Sequence, residues 1–150
     1  MTLSFHSLGI SEHRAKHLEE MGFTNPTEIQ SQAIPHLLSG RDVVGQAQTG
    51  TGKTAAFSLP ILERIDVKMP AVQALILTPT RELALQVCQA IRGFNEDRRL
   101  KVVNIYGGQA IEPQVSRLQR GAQIVVGTPG RVLDLLSRGD LKLNNLNWLV

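Results

Sequence analysis

The chain has 150 residues, 42% of them hydrophobic, and a formal net charge of +3. That is about one domain of chain with enough apolar content for a packed core, and no segment is long and polar enough to read as disordered. No apolar run approaches the roughly 18 residues of a membrane helix, the small positive charge is compatible with nucleic acid without arguing for it, and the single cysteine, Cys88, excludes an internal disulfide and fits a reducing cytoplasm.

The start, MTLSFHSLGISEH, lacks the basic-then-apolar layout of a signal peptide. Ser11 caps a predicted helix that runs to Met21 and ends at Gly22. Thr27 opens a second, with Ile29, Ala33, Leu37 and Leu38 at helical spacing, Pro35 set to bend it and Gly40 after it. Strands and helices then alternate. Strand-like runs cover 42–46, 73–78, 101–106, 123–127 and 147–150, and helical runs cover 53–65, 81–94, 113–120 and 131–137. The helix over 81–94 places Leu83, Ala84, Val87, Cys88, Ile91 and Phe94 on one stripe. Alternating βα units imply an α/β fold, a parallel sheet with helices on both faces. Ligands on such sheets bind at the carboxyl ends of the strands, which selects the loops at 47–53, 79–81, 107–112 and 128–130.

The first of these loops reads AQTGTGKT over 47–54, between a predicted strand and a predicted helix. Backbone N–H groups of Gly50, Thr51 and Gly52 can converge on phosphate oxygens at the helix N-terminus. Lys53 would neutralise the β- and γ-phosphates, and the Thr54 hydroxyl would hold Mg²⁺. Ala47 stands where the usual G-x-x-x-x-G-K-[ST] pattern has its first glycine. Gly50, Gly52 and Ala55 also match the dinucleotide fingerprint G-x-G-x-x-A. That motif wants an acidic residue about 20 positions on, at the end of the next strand, where this chain has Thr78 and Pro79. No N-K-x-D motif follows to suggest guanine recognition.

Upstream, 22–30 reads GFTNPTEIQ. Thr27 and Gln30 fit a capping box, in which the glutamine reaches back to the cap's N–H. A glutamine amide also offers the acceptor and donor that match adenine N6 and N7. Spacing alone favours the cap.

GFTNPTEIQ resembles the Q motif of the DEAD-box RNA helicases. It comes with Phe5, 17 positions before Gly22, where that family stacks an aromatic on adenine. AQTGTGKT resembles the family's motif I, whose first position is commonly Ala. PTRELALQ at 79–86 resembles motif Ia, Gly107-Gly108 the GG motif, and TPGR at 128–131 motif Ib. All stand in family order and cover nearly the whole chain. The resemblance implies a three-layer RecA-like P-loop domain, here its amino-terminal portion.

The resemblance further implies that Phe5, Thr27 and Gln30 meet the base of ATP, that Gln48, Thr49, Gly50, Thr51, Gly52, Lys53 and Thr54 hold its phosphates, and that Thr54 holds Mg²⁺. Pro79, Thr80, Arg81, Glu82, Gly107, Gly108, Thr128, Pro129, Gly130 and Arg131 would form an RNA-backbone track with little sequence preference. Each also has a bland reading. Phe5 and Phe23 suit a core; Thr80 and Glu82 suit a helix start; the glycines suit turns. Arg81 and Arg131 are cations in first helical turns, locally unfavourable unless an anion is near. His13 and His17, four apart, read as a solvated face beside Arg14 and Lys16; Arg98, Arg99 and Lys101 read as a solvated loop.

The family's Asp-Glu-Ala-Asp box, its Ser-Ala-Thr motif and its second RecA-like domain do not occur in these 150 residues. An ATPase needs acidic groups to position the metal and the attacking water. The expectation is therefore a piece of a longer ATP-dependent RNA helicase, inactive and poorly stable alone, with an unfilled strand slot in the middle of its sheet, between the phosphate-loop strand and the last strand. The alternatives are a nucleotide- or RNA-binding module without turnover, which the absence of the acidic box in the parent would favour, and a DNA-directed relative, against which the Q motif and Phe5 argue.

Overall fold

The computed structural model describes residues 2–150. The chain divides into two compact units, Met1–Arg64 and Ile65–Val150.

The first unit is helical. A 3₁₀ turn, His6–Leu8, precedes α1 (Glu12–Glu20), α2 (Glu28–Leu38) and α3 (Lys53–Arg64). Phe5, Ile10, Leu18, Ile34, Leu59 and Ile61 are its deeply buried core. Thr27 caps α2 as the spacing predicts: Gln30 N donates to Thr27 Oγ1 at 3.4 Å and Thr27 N to Gln30 Oε1 at 2.9 Å. Ser11 precedes α1 but makes no cap bond. Its hydroxyl donates instead to Glu63 Oε1 at 3.1 Å, beside the Arg14 Nε–Glu63 contact at 2.9 Å, so a carboxylate near the end of α3 takes over the start of α1. Phe23, expected in the core, is 38% exposed. It follows the turn at Gly22, where its N–H is spent on Leu18 O.

The strand expected over 42–46 does not form. Residues 41–46 are exposed coil, and the described residues of this unit include no strand to pair with them. Two valines give a segment β propensity, but propensity without a ladder partner leaves its N–H and C=O groups to water.

The second unit holds β1 (Ala74–Leu77), α4 (Arg81–Phe94), β2 (Val102–Ile105), α5 (Glu112–Gln119), β3 (Ile124–Gly127), α6 (Pro129–Arg138) and β4 (Trp148–Leu149). The four strands are parallel, in the order β2-β3-β1-β4. Register aligns Leu77 and Ile105 with Gly127, so three strand ends lie in one row. Leu75, Val103, Ile105 and Val125 pack with Val115, Val132 and Leu135 of α5 and α6 on one face. Alternation turns Ile76, Asn104, Ile124 and Val126 to the other face, where α4 packs on β2 and β3. This is the α/β three-layer arrangement. β4 pairs with β1 alone and is an edge strand, with Leu149 66% exposed.

Close approach explains Gly127. A Cβ there would lie 2.7 Å from Ile105 O and 2.8 Å from Val132 Cγ2, so β3 can pass into α6 beside β2 only with no side chain. At the opposite edge, the buried Gln73 and Gln123 satisfy backbone groups of the 66–71 loop and of Lys101.

Candidate functional site

In the first unit the phosphate loop curls ahead of α3. Thr51 Oγ1 donates to Gln48 O at 2.5 Å and Lys53 Nζ to Ala47 O at 2.7 Å. An ammonium has three N–H donors, so two remain for phosphate oxygens. Gln48, Thr49, Gly50 and Lys53 are exposed, with Thr51, Gly52 and Thr54 half-buried. The first N–H groups of α3 lack intrahelical partners and form the positive end of its dipole. The described residues contain no group of three His, Cys, Asp or Glu side chains able to hold a metal. Thr54 stands at the second position of α3, half-buried, beside the loop.

Gln30 joins the upstream motif to this loop. Besides closing the capping box, its Nε2 donates to Gly52 O at 3.1 Å. That carbonyl also accepts the N–H of Ala56 at 3.1 Å. Gly52 has φ of +88°, and a Cβ there would stand 2.2 Å from Gln30 Nε2, so glycine is required twice over. One N–H and one lone pair of the Gln30 amide stay unused, enough for an adenine edge, although the residue is 2% exposed. Phe5 is likewise 2% exposed.

In the second unit the three aligned strand ends bring the other expected residues to one edge. Thr80 caps α4, its Oγ1 accepting Leu83 N at 3.2 Å, and Thr78 Oγ1 donates to Thr80 O at 3.1 Å. Pro79, Arg81 and Glu82 are exposed beside them, as are Gly107, Gly108, Pro129 and Gly130. Thr128 precedes α6 without a side-chain cap bond, and α6 starts at Pro129, two residues earlier than periodicity predicts, because a proline at N1 is preset for the helix.

The two arginines do not stand as isolated cations. The Arg81 guanidinium lies 4.7 Å from the Tyr106 ring centroid, a cation–π contact. Arg131 donates to Gln109 O at 3.1 Å and to Gln114 Oε1 at 3.3 Å, and its Nε lies 4.0 Å from Asp134 Oδ2. Local partners thus offset the first-turn penalty that pointed to an anion. Tyr106, Gln109 and Gln114 escaped the sequence reading. Gln114 had a signal: it lies three after Ile111 and four before Leu118, a polar residue on the apolar stripe of α5.

The sequence model of the DEAD/DEAH box helicase family matches residues 27–150. The chain belongs to the DEAD/DEAH box helicase family. It is 58% identical over all 150 residues to the RNA helicase CrhR of Synechocystis sp. and 48% identical to the DEAD-box ATP-dependent RNA helicase CshA of Bacillus subtilis, covering 30% of each. A DEAD box protein from the hyperthermophile Methanococcus jannaschii superposes with a TM-score of 0.92 at 44% identity, over 97% of this chain and 40% of that one. The chain therefore spans under half the length of these relatives, and its fold is an incomplete RecA-like domain.

Proposed function

We propose that this chain is the amino-terminal part of the first RecA-like domain of an ATP-dependent RNA helicase, with the acidic box, the Ser-Ala-Thr motif and a second RecA-like domain lying elsewhere in the longer protein. ATP and RNA binding would close the two domains and hydrolysis reopen them, opening duplexes locally. The observation that carries this reading is the phosphate loop ahead of α3 with Gln30 fastened to it through Gly52 O. The residues on either side of that link divide the labour. Gly50, Thr51 and Gly52 offer N–H groups to phosphate oxygens, Gln48 and Thr49 shape the loop, and Lys53 neutralises the terminal phosphates. Thr54 would be a ligand of Mg²⁺, which when bound offsets phosphate charge. Lys53 and Thr54 are the catalytic-site residues of this chain, yet neither hydrolyses ATP unaided. Thr27, Gln30 and Phe5 are proposed to serve the adenine. Pro79 to Glu82, Gly107, Gly108 and Thr128 to Arg131 are proposed to hold RNA through its backbone. A cytoplasmic setting is part of the proposal and rests on the unpaired, buried Cys88.

The decisive experiment is ATP hydrolysis by the full-length protein with and without single-stranded RNA. RNA should stimulate turnover and Lys53→Ala should remove at least about 99% of it. Equal stimulation by DNA of the same sequence would overturn the RNA reading. Gln30→Glu alone does not isolate the base contact, because it also sets a carboxylate against Gly52 O. Comparing ATP, GTP and inorganic triphosphate does. Loss of the preference for ATP marks a base contact; equal weakening of all three marks a loop tether only.

A further inference from the structure

Three motif loops meet at one sheet edge, and one residue outside every motif touches two of them. Gln114 is 3% exposed. Its Nε2 donates to Tyr106 O at 3.0 Å, the carbonyl that enters the Gly107-Gly108 turn. Its Oε1 accepts from Arg131 at 3.3 Å. Arg131 in turn donates to Gln109 O, on the far side of that turn. The ring of Tyr106 carries Arg81, and its hydroxyl lies 3.3 Å from Gln109 Oε1. Both arginines are thus referenced to the same four-residue turn, and Gln114 fixes the turn to Arg131 from below.

The unit supplies its own comparison. Gln73 and Gln123 are as deeply buried as Gln114, at 3% each, but they bond only backbone groups at the opposite edge. Gln114 alone of the three holds a side-chain cation. An arginine side chain with an exposed fraction of only 13% has few orientations, and the N–H vectors of its guanidinium are set by the acceptors behind it.

We propose that Gln114 is a positioning residue for RNA, aiming Arg131 and holding the Gly107-Gly108 turn at the height Arg131 requires. This rests on the reading of that edge as the RNA-backbone track. Gln114 touches no RNA itself.

The test uses the full-length protein and reads turnover against the concentration of single-stranded RNA. Gln114→Met keeps the volume and removes both hydrogen bonds. The RNA concentration for half-maximal stimulation should rise about tenfold, the loss of a bond to a charged group, while turnover at saturating RNA stays within about twofold. Gln73→Met is the control for a merely structural glutamine: it should lower the melting temperature and leave RNA half-saturation unchanged. Gln114→Met combined with Arg131→Lys should bind RNA no worse than Arg131→Lys alone. Unchanged half-saturation in Gln114→Met, or additive losses in the double variant, overturns the proposal. Should Gln114→Met fail to fold, Gln114→Asn decides: it stays polar but is one methylene too short to reach both Tyr106 O and Arg131, and unchanged RNA half-saturation in it overturns the proposal. Normal RNA binding by Arg131→Lys overturns both the proposal and the assignment of Arg131 to RNA; weakened binding by Arg131→Lys with a normal Gln114→Met removes the proposal only.

Discussion

The tripeptide Val-Val-Gly occurs twice, at 43–45 and at 125–127, and its two copies have opposite fates. Val125 and Val126 are fully buried in β3, between β2 and β1. Val43 is 37% exposed and Val44 is 101% exposed, in coil. The tripeptide is the same, though Asp42 precedes one copy and Ile124 the other, and the larger difference is the neighbours in space. β3 has a ladder on each side and helices on both faces; the 43–45 copy has no strand partner in its unit. A strand is a tertiary object, and its residues gain stability from pairing and burial more than from their own preference.

The largest effect that would break this comparison is a buried charge. Val126→Asp should destabilise the second unit by more than about 4 kcal/mol, seen as loss of the cooperative urea transition in circular dichroism. Val44→Asp in the same chain should change stability by less than about 0.5 kcal/mol. In the full-length protein, a severe effect of Val44→Asp would mean that residues beyond this chain complete the ladder.

The glycines of the two copies sharpen it further. Gly127→Ala drives a Cβ into Ile105 O and should cost about 1–3 kcal/mol. Gly45→Ala meets only Ile29 Cδ1 at 3.5 Å, an ordinary contact, and should be near neutral by the same melt. Constraint in the first unit sits instead at Gly52. Gly52→Ala meets both a positive φ and the Gln30 amide, so it should cost about 1–2 kcal/mol and weaken nucleotide binding in a calorimetric titration.

The smallest effect concerns Asp97, whose carboxyl is held down to about 2 by hydrogen bonds and charge from Arg99. A folded-state value below the unfolded one stabilises above the unfolded pKa, and that contribution is lost as pH falls toward about 2. Because Arg99 is exposed and the carboxyl only half-buried, solvent screens the pair and the stability change should be small. An NMR titration of the carboxyl should move upward in Arg99→Ala but stay below the ordinary range, because the residue-99 N–H, 3.0 Å from Asp97 Oδ1, remains.

Much of this was legible from residue order. Arg81–Phe94 forms over the residues its stripe marks, Thr27 and Gln30 make the capping box, and Thr80 caps α4. Cys88 is buried on that stripe, where desolvation raises its thiol pKa. These are local signals, read within a turn or two of chain. The failures are long-range. Phe23 faces outward, Ser11 gives its hydroxyl to Glu63 across 52 positions, and Arg131 is met by Gln109 and Gln114, 22 and 17 positions back.

The sequence by itself determined the local elements that carry the proposed site: the glycine turn ahead of α3, the Thr27–Gln30 cap, and the helix starts that follow the strands. Residue identity and spacing suffice there, because helix caps and glycine turns are built from consecutive backbone groups. Only the tertiary structure decided that Gln30 fastens to Gly52, that one Val-Val-Gly is a central strand and the other is not, and that Gln114 joins two loops. Each of these depends on a partner brought close by packing, and no local pattern records which partner that is.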